Sequence, residues 1–288
     1  MSSKSPPQPP SPPHPNQNTN LLPKATPEPK LKPPQQEKKR DFLTHLESYL
    51  SKRDGVDKLL KISRYTAKLI LATSWAHQAQ SQAHNGPSLY NRLKTFESSV
   101  GISRKSLRLG KFVQDINALR ALPKPRVKST SSISDLDFVL SVVAYGGEGV
   151  YFFVEQLVWL AKSGLIDPKR SRSFQKISAW CEFVGYFGSV ALKFRDLKVI
   201  GEDEECLKSS VEISSLRGEC CEVEEERLKK VREKKMMKKL SILQDLADAV
   251  MALDDMIDGK GPFSGPVFMA SAGLLSALIS THKNWKAC

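Results

Sequence analysis

Glu148 and Glu155 stand seven residues apart, so any helix containing them carries both on one face, and Gly146, Gly147 and Gly149 loosen the backbone beside the first. They lie inside an apolar run, Phe138 to Ala161 (FVLSVVAYGGEGVYFFVEQLVWLA), that is long enough for a bilayer crossing. A carboxylate in hydrocarbon is costly, so the pair must face other helices, water or a cationic partner. Gly146-Gly147-Glu148-Gly149 is too short, and its context too apolar, to cradle a phosphate. The other concentration of chemistry is basic. Between Tyr90 and Lys128, ten Lys and Arg stand against Glu97 and Asp115. Ile102, Leu109, Val113 and Ile116 advance by seven, four and three, with Phe112 and Leu119 beside them, while Arg104, Lys105, Arg108 and Lys111 fall largely elsewhere. The spacing predicts a basic amphipathic helix over about 90–120. Its stripe can enter the headgroup region while its cations meet lipid phosphates, each worth about 1 kcal/mol near the surface, and such a wedge favours curvature. The alternative is that the stripe packs on the preceding helices and the cations solvate the outer face. Catalytic chemistry is not visible. There is no G-x-x-x-x-G-K loop, no G-x-S-x-G elbow and no His-rich pattern, and the five cysteines (181, 206, 220, 221 and 288) are odd in number without C-x-x-C spacing. The reading is therefore no enzyme, no cofactor and no metal.

The elements that must position these residues follow from composition and periodicity. With 44 Lys+Arg against 31 Asp+Glu the formal charge is +13, a surplus that calls for an acidic partner, either nucleic acid or anionic lipid. Twelve of the 18 prolines fall between Pro6 and Pro34, so residues 1–37 read as a disordered, proline-rich tail. The 38–130 region reads as helical and cytosolic. Phe42, Leu43, Leu46, Tyr49 and Leu50 predict a short helix that Asp41 can cap. After Asp54-Gly55, Val56, Leu59, Leu60, Ile62, Leu69, Ile70 and Leu71 predict a second helix to about Trp75, and Asn85-Gly86-Pro87 then marks a loop. Residues 131–165 hold the first transmembrane candidate. Residues 170–200 read as a membrane-associated or second-pass helix, because Phe174 to Phe194 retains Lys176, Glu182 and Lys193. The acidic and basic runs of 201–235 read as a charged linker, and 236–260 as an amphipathic helix carrying Met236, Leu240, Leu243, Ala247 and Val250. Over 262–282, Phe263 to Thr281 is free of charge, and Ala272, Gly273, Ser276 and Ala277 place small residues where another helix can approach the backbone. In the 283–288 tail and just before it, His282, Lys283, Trp285 and Lys286 suit an interfacial anchor. Neither a cleavable signal nor a lipid-anchor motif is expected. The uncharged run favours anionic lipid over nucleic acid as the acidic partner, since a soluble nucleic-acid binder leaves it without purpose. The fold class expected is an all-α membrane protein with a cytosolic helical and amphipathic N-terminal region and two or more transmembrane helices.

Several blocks resemble the plant branch of the peroxin 11 family of peroxisomal membrane proteins: DFLTHLESYLSKRDGVDKLLKISRYTAKL (Asp41 to Leu69), LGKFVQDINAL (Leu109 to Leu119), AYGGEGVYFFVEQLVWL (Ala144 to Leu160), SGLID, KISAW, LSILQDLAD and the ending STHKNW. Their order and spacing agree over about residues 40–287, whereas the proline-rich head departs from the family. The resemblance implies a multi-pass protein of the peroxisomal membrane that promotes elongation, proliferation and fission of the organelle through an amphipathic helix ahead of the first span. It also implies homo- and hetero-oligomers, with a tail-anchored fission adaptor and dynamin-related GTPases as partners. As an alternative it implies a channel for small metabolites, for which Glu148 and Glu155 are the residues to suspect.

Overall fold

The computed structural model describes residues 41–78, 89–122, 132–217, 222–261 and 264–288. The expectations for the proline-rich tail, for Asn85-Gly86-Pro87 and for Lys124, Arg126, Lys128, Cys220 and Cys221 lie outside those residues. Regular structure among the described residues is helical: α1 (Phe42–Leu50), α2 (Arg53–Gln78), α3 (Leu89–Leu107), α4 (Phe112–Ala121), α5 (Ser132–Lys162), a short 3-10 turn (Pro168–Arg170), α6 (Ser171–Leu216), α7 (Glu222–Met256) and α8 (Pro266–Lys286). Asp41 occupies the N-cap of α1 through its carbonyl, which accepts from the His45 amide at 3.0 Å, but its side chain makes no capping bond.

Three expectations change. The single helix expected over 90–120 is two, α3 and α4, because Gly110 takes a left-handed backbone (φ +75) and the chain turns there through Arg108, Leu109 and Lys111 amides bonded three residues back. The segment 201–235 is no linker. Glu204 on α6 accepts from Arg232 (3.2 Å) and Lys235 (2.7 Å) on α7, and Asp196 from Lys238 (2.7 Å), so the opposite charges of the two runs zip α6 and α7 into one long hairpin. The anchor residues at the C-terminus belong to α8, and Lys283, Trp285 and Lys286 turn onto the protein while His282 is exposed. The Trp285 ring packs on Phe42, His45 and Tyr49, Lys283 donates to Ser241 (2.7 Å), and Lys286 pairs with Glu233 (2.6 Å). This aromatic cluster, with Tyr49 buried within it, ties α1 to the far end of the chain.

The helices close a cycle: α5 packs on α6, α6 on α7, α7 on α8, α8 on α2, α2 on α3 and α3 on α5, with α4 against α5 and α1 against α2. Small residues allow the tightest crossings. A Cβ on Gly147 would lie 2.7 Å from the Gly185 Cα, and one on Gly188 would lie 2.7 Å from the Ala144 nitrogen, so α5 and α6 touch backbone to backbone. The face of Ala272, Gly273, Ser276 and Ala277 receives α2: the Tyr65 ring sits where a Gly273 side chain would be, and Lys61 donates to Ser276 Oγ at 2.7 Å.

Candidate functional site

Three helices of the cycle, α5, α6 and α8, are amphipathic in the reverse of the usual sense. On α5 the inward positions are Ala144, Gly147, Tyr151, Glu155 and Val158, whereas Leu136, Val139, Val142, Val150 and Phe153 are exposed. On α6 the inward positions include Ser178, Gly185, Ser189 and Lys193, while Ile177, Trp180, Val184 and Phe187 face out, Phe187 at 71% exposure. On α8 Ser276 and Ser280 are buried, and Val267, Phe268, Leu275 and Leu278 are not. An apolar exterior around a charged interior is what hydrocarbon selects and what water opposes, because exposed apolar surface on this scale demands an apolar surrounding. Among the described residues one helical stretch, Asp135–Lys162, is long and apolar enough to cross a membrane, and most of it is not covered by the protein.

Two acceptors on opposite helices organise the interior. Asp57 of α2 accepts from Arg104 Nε (3.0 Å) and pairs with Arg108 (3.5 Å) and its neighbour Lys58 (3.5 Å). Glu155 of α5 accepts from Lys105 (2.6 Å) and Arg108 Nη1 (3.2 Å), and the same Arg108 nitrogen donates to Tyr151 Oη at 2.9 Å. Arg108 therefore bridges α2 to α5 at the end of α3. Burial alone would raise the Asp57 carboxyl, but Arg108 and Arg104 overcome it and hold it well below the usual range. Further round the ring, Asp248 of α7 receives Lys61 at 2.9 Å, and Asp245 receives Ser189 (2.9 Å) and Lys193 of α6.

This geometry relocates most of the cations that the sequence turned toward lipid. Arg104, 5% exposed, and Lys105 and Arg108, both part-buried, are engaged by interior carboxylates, and Lys111 lies 4.6 Å from the centroid of the Phe152 ring. The apolar stripe points the other way: Ile102, Leu109, Val113 and Ile116 are exposed and Phe112 and Leu119 half-buried, Phe112 edge-on to Phe153. Of the suspected pair of glutamates, Glu155 is the buried acceptor of two cations and Glu148 is exposed. The residues that sequence reading passed over are Asp57, Lys58, Lys61, Asp245 and Asp248.

α4 carries one unpaired acid on its inner side. Asp115 is 8% exposed, packs over Gly149 and leaves Oδ2 without a partner, and burial, with Glu148 nearby, raises its carboxyl to about 6 against the pull of Lys111. A carboxyl whose folded pKa lies above its unfolded value loses stability as pH rises from about 4 through about 6. The amides of α4 are therefore expected to be better protected from hydrogen exchange at pH 5 than at pH 7.5, after correction for intrinsic rates, and Asp115→Asn should remove the difference. Equal pH dependence in that variant would refute the assignment.

The family model for peroxisomal biogenesis factor 11 matches residues 43–285. Peroxisomal membrane protein 11A of Arabidopsis thaliana is 57% identical over 251 residues, 87% of this chain and 95% of the relative. Peroxisomal membrane protein 11-3 of Oryza sativa subsp. japonica is 51% identical over 249 residues, 86% of this chain and 91% of the relative. Peroxisomal biogenesis factor 11 of Schizosaccharomyces pombe is 25% identical over 248 residues, 84% of this chain and 94% of the relative. No solved structure matches the chain.

Proposed function

The chain belongs to the peroxisomal biogenesis factor 11 family, and from that premise we propose that it remodels the peroxisomal membrane, elongating the organelle ahead of fission. Family membership supports a role in peroxisome biogenesis, and the names of its relatives support the peroxisomal membrane as its place. The finer reading is that α5, α6 and α8 cross the bilayer, while α3 and α4 lie along one leaflet as a wedge. Copies self-associate to concentrate these wedges, and a tail-anchored adaptor with dynamin-related GTPases completes division. The reading needs no catalytic residue.

The observation that carries it is the reversed amphipathicity: ion pairs inside, apolar side chains outside on α4, α5, α6 and α8. For α3 and α4 the wedge rests on the stripe of Ile102, Leu109, Val113 and Ile116, since Arg104, Lys105 and Arg108 are engaged internally. Val113 and Ile116 stand 46% and 45% exposed with no interior task, so Val113→Glu with Ile116→Glu removes the wedge without disturbing the ion pairs. Expressed with an N-terminal fluorescent tag beside a peroxisomal marker, the natural chain should lengthen or multiply peroxisomes. The double variant should reach the same membrane and leave their shape unchanged. Elongation undiminished in the variant would refute the wedge, and a diffuse signal for the natural chain would refute the membrane reading itself.

A further inference from the structure

The cycle of helices encloses a cavity of about 440 Å³ whose walls carry eleven Lys and Arg against six Asp and Glu. Such an excess inside a protein is held against its own repulsion unless an anion joins it. The imbalance is sharpest where α2 meets the turn between α3 and α4. Arg104 is almost fully buried and bonds Asp57 through Nε, but its Nη2 is buried with no partner at all. Lys111 has no carboxylate within ion-pair distance among the described residues and lies against the Phe152 ring. Lys58 has its sequence neighbour Asp57, at 3.5 Å, and that carboxylate already serves Arg104 and Arg108. Burial pulls the Lys58 ammonium down to about 7 in spite of Asp57, and Arg108, Lys61 and Lys111 push the same way.

We propose that this cavity is a binding site for a phosphate-bearing anion, held by Lys58, Arg104, Arg108 and Lys111. A phosphate group fits the donor set better than a carboxylate does. Its three peripheral oxygens accept from several directions at once, matching the unpartnered Arg104 Nη2 and the Arg108, Lys58 and Lys111 cations that line the cavity from α2, the end of α3 and the turn before α4. The anion would satisfy the orphaned Arg104 nitrogen and favour the charged form of Lys58. The same chemistry is offered by a soluble phosphate and by a lipid headgroup entering between helices. The assignment stands independently of the membrane-wedge reading, because none of the four residues belongs to the outer stripe.

The test uses the full chain in a maltoside detergent, which brings no phosphate of its own, with inorganic pyrophosphate as the soluble probe. Binding is read by phosphorus NMR and by the rise in melting temperature over sodium chloride of equal ionic strength. The lipid arm uses phosphatidylcholine nanodiscs with and without a few per cent of phosphatidylinositol 4-phosphate, read by native mass spectrometry of retained lipid. Lys58→Gln with Lys111→Gln spares the strong ion pairs and should weaken binding about tenfold or more, while melting no lower than the natural chain in the absence of anion. Lys111→Leu alone serves if that double variant does not fold. Saturable pyrophosphate binding lost in the variant supports the site with a soluble ligand. Selective retention of the phosphoinositide lost in the variant supports it with a lipid ligand. Binding of neither probe, or binding unchanged in the variants, overturns it.

Discussion

Replacing Gly185 by Leu is expected to leave little folded protein. A Cβ there would lie 3.0 Å from the Glu148 nitrogen and 3.3 Å from the Ala144 oxygen, and the reciprocal Cβ on Gly147 would meet the Gly185 Cα and nitrogen at 2.7 Å. These neighbours are main-chain atoms on both sides, so no side chain can swing away and the two helices must part. Overfilling a packed interior costs about 1–3 kcal/mol when neighbours yield, and here the upper end or beyond is expected because they do not. Gly185→Ala should show the same defect at smaller size. Gly146→Leu is the matched control, since nothing lies within 4 Å of a Cβ built there. Thermal unfolding of the detergent-solubilised chain, followed by circular dichroism, decides the matter. If the Gly185→Leu variant melts with the natural chain, α5 and α6 do not cross as described.

The second large effect is expected from Glu155→Ala. That carboxylate is the shared acceptor of Lys105 and Arg108, and without it the part-buried Lys105 loses its carboxylate partner while Arg108 keeps only Asp57, at 3.5 Å, and the Tyr151 hydroxyl. Removing one member of a buried ionic cluster costs about 3–5 kcal/mol, because the partner's charge stays desolvated. Adding Lys105→Ala should recover part of the loss, since one stranded charge goes with it. The conservative Glu155→Asp should be intermediate. If the single and double variants melt together with the natural chain, the network contributes nothing. Asp57, the other acceptor, adds a pH signature. Its folded pKa lies well below its unfolded value, so its contribution is fully present above about pH 4 and is lost only as the solution is made strongly acidic.

How much of this is legible in the sequence depends on which direction each helix faces. Periodicity locates α1 and α2, and the long apolar or uncharged runs locate α5, the body of α6 and α8, within a few residues. Periodicity is silent about whether a stripe meets protein or lipid. The stripe through Leu109, Val113 and Ile116 is visible in the sequence, but the partners of the cations beside it are not. Arg104 and Arg108 need Asp57 and Glu155, 47 residues back and 47 residues on from their respective donors, to turn them inward. A signal for the interior does exist. Lys58, Lys61, Tyr65 and Lys68 on α2 and Asp245, Asp248, Ala252 and Asp255 on α7 each keep a three-four spacing, a charged face on a helix that a polar interior requires. The acidic and basic runs around residue 220 are visible too, but taken singly they look like solvated linkers. Read as complementary partners on antiparallel helices they give the hairpin of α6 and α7 directly.

The cycle of helices also sets a schedule. Its seam is the packing of α8 on α2, where Lys61 reaches Asp248 across 187 residues and Ser276 across 215. Translation proceeds at roughly 5–20 residues per second, so α2 waits on the order of 10–40 s after its own synthesis before its companion exists. During that interval the Gly273 seat for Tyr65 is missing and the Lys61 ammonium has no acceptor on α7 or α8. The ring thus closes only after α8 has left the ribosome, and α2 must be kept from other apolar surfaces until then.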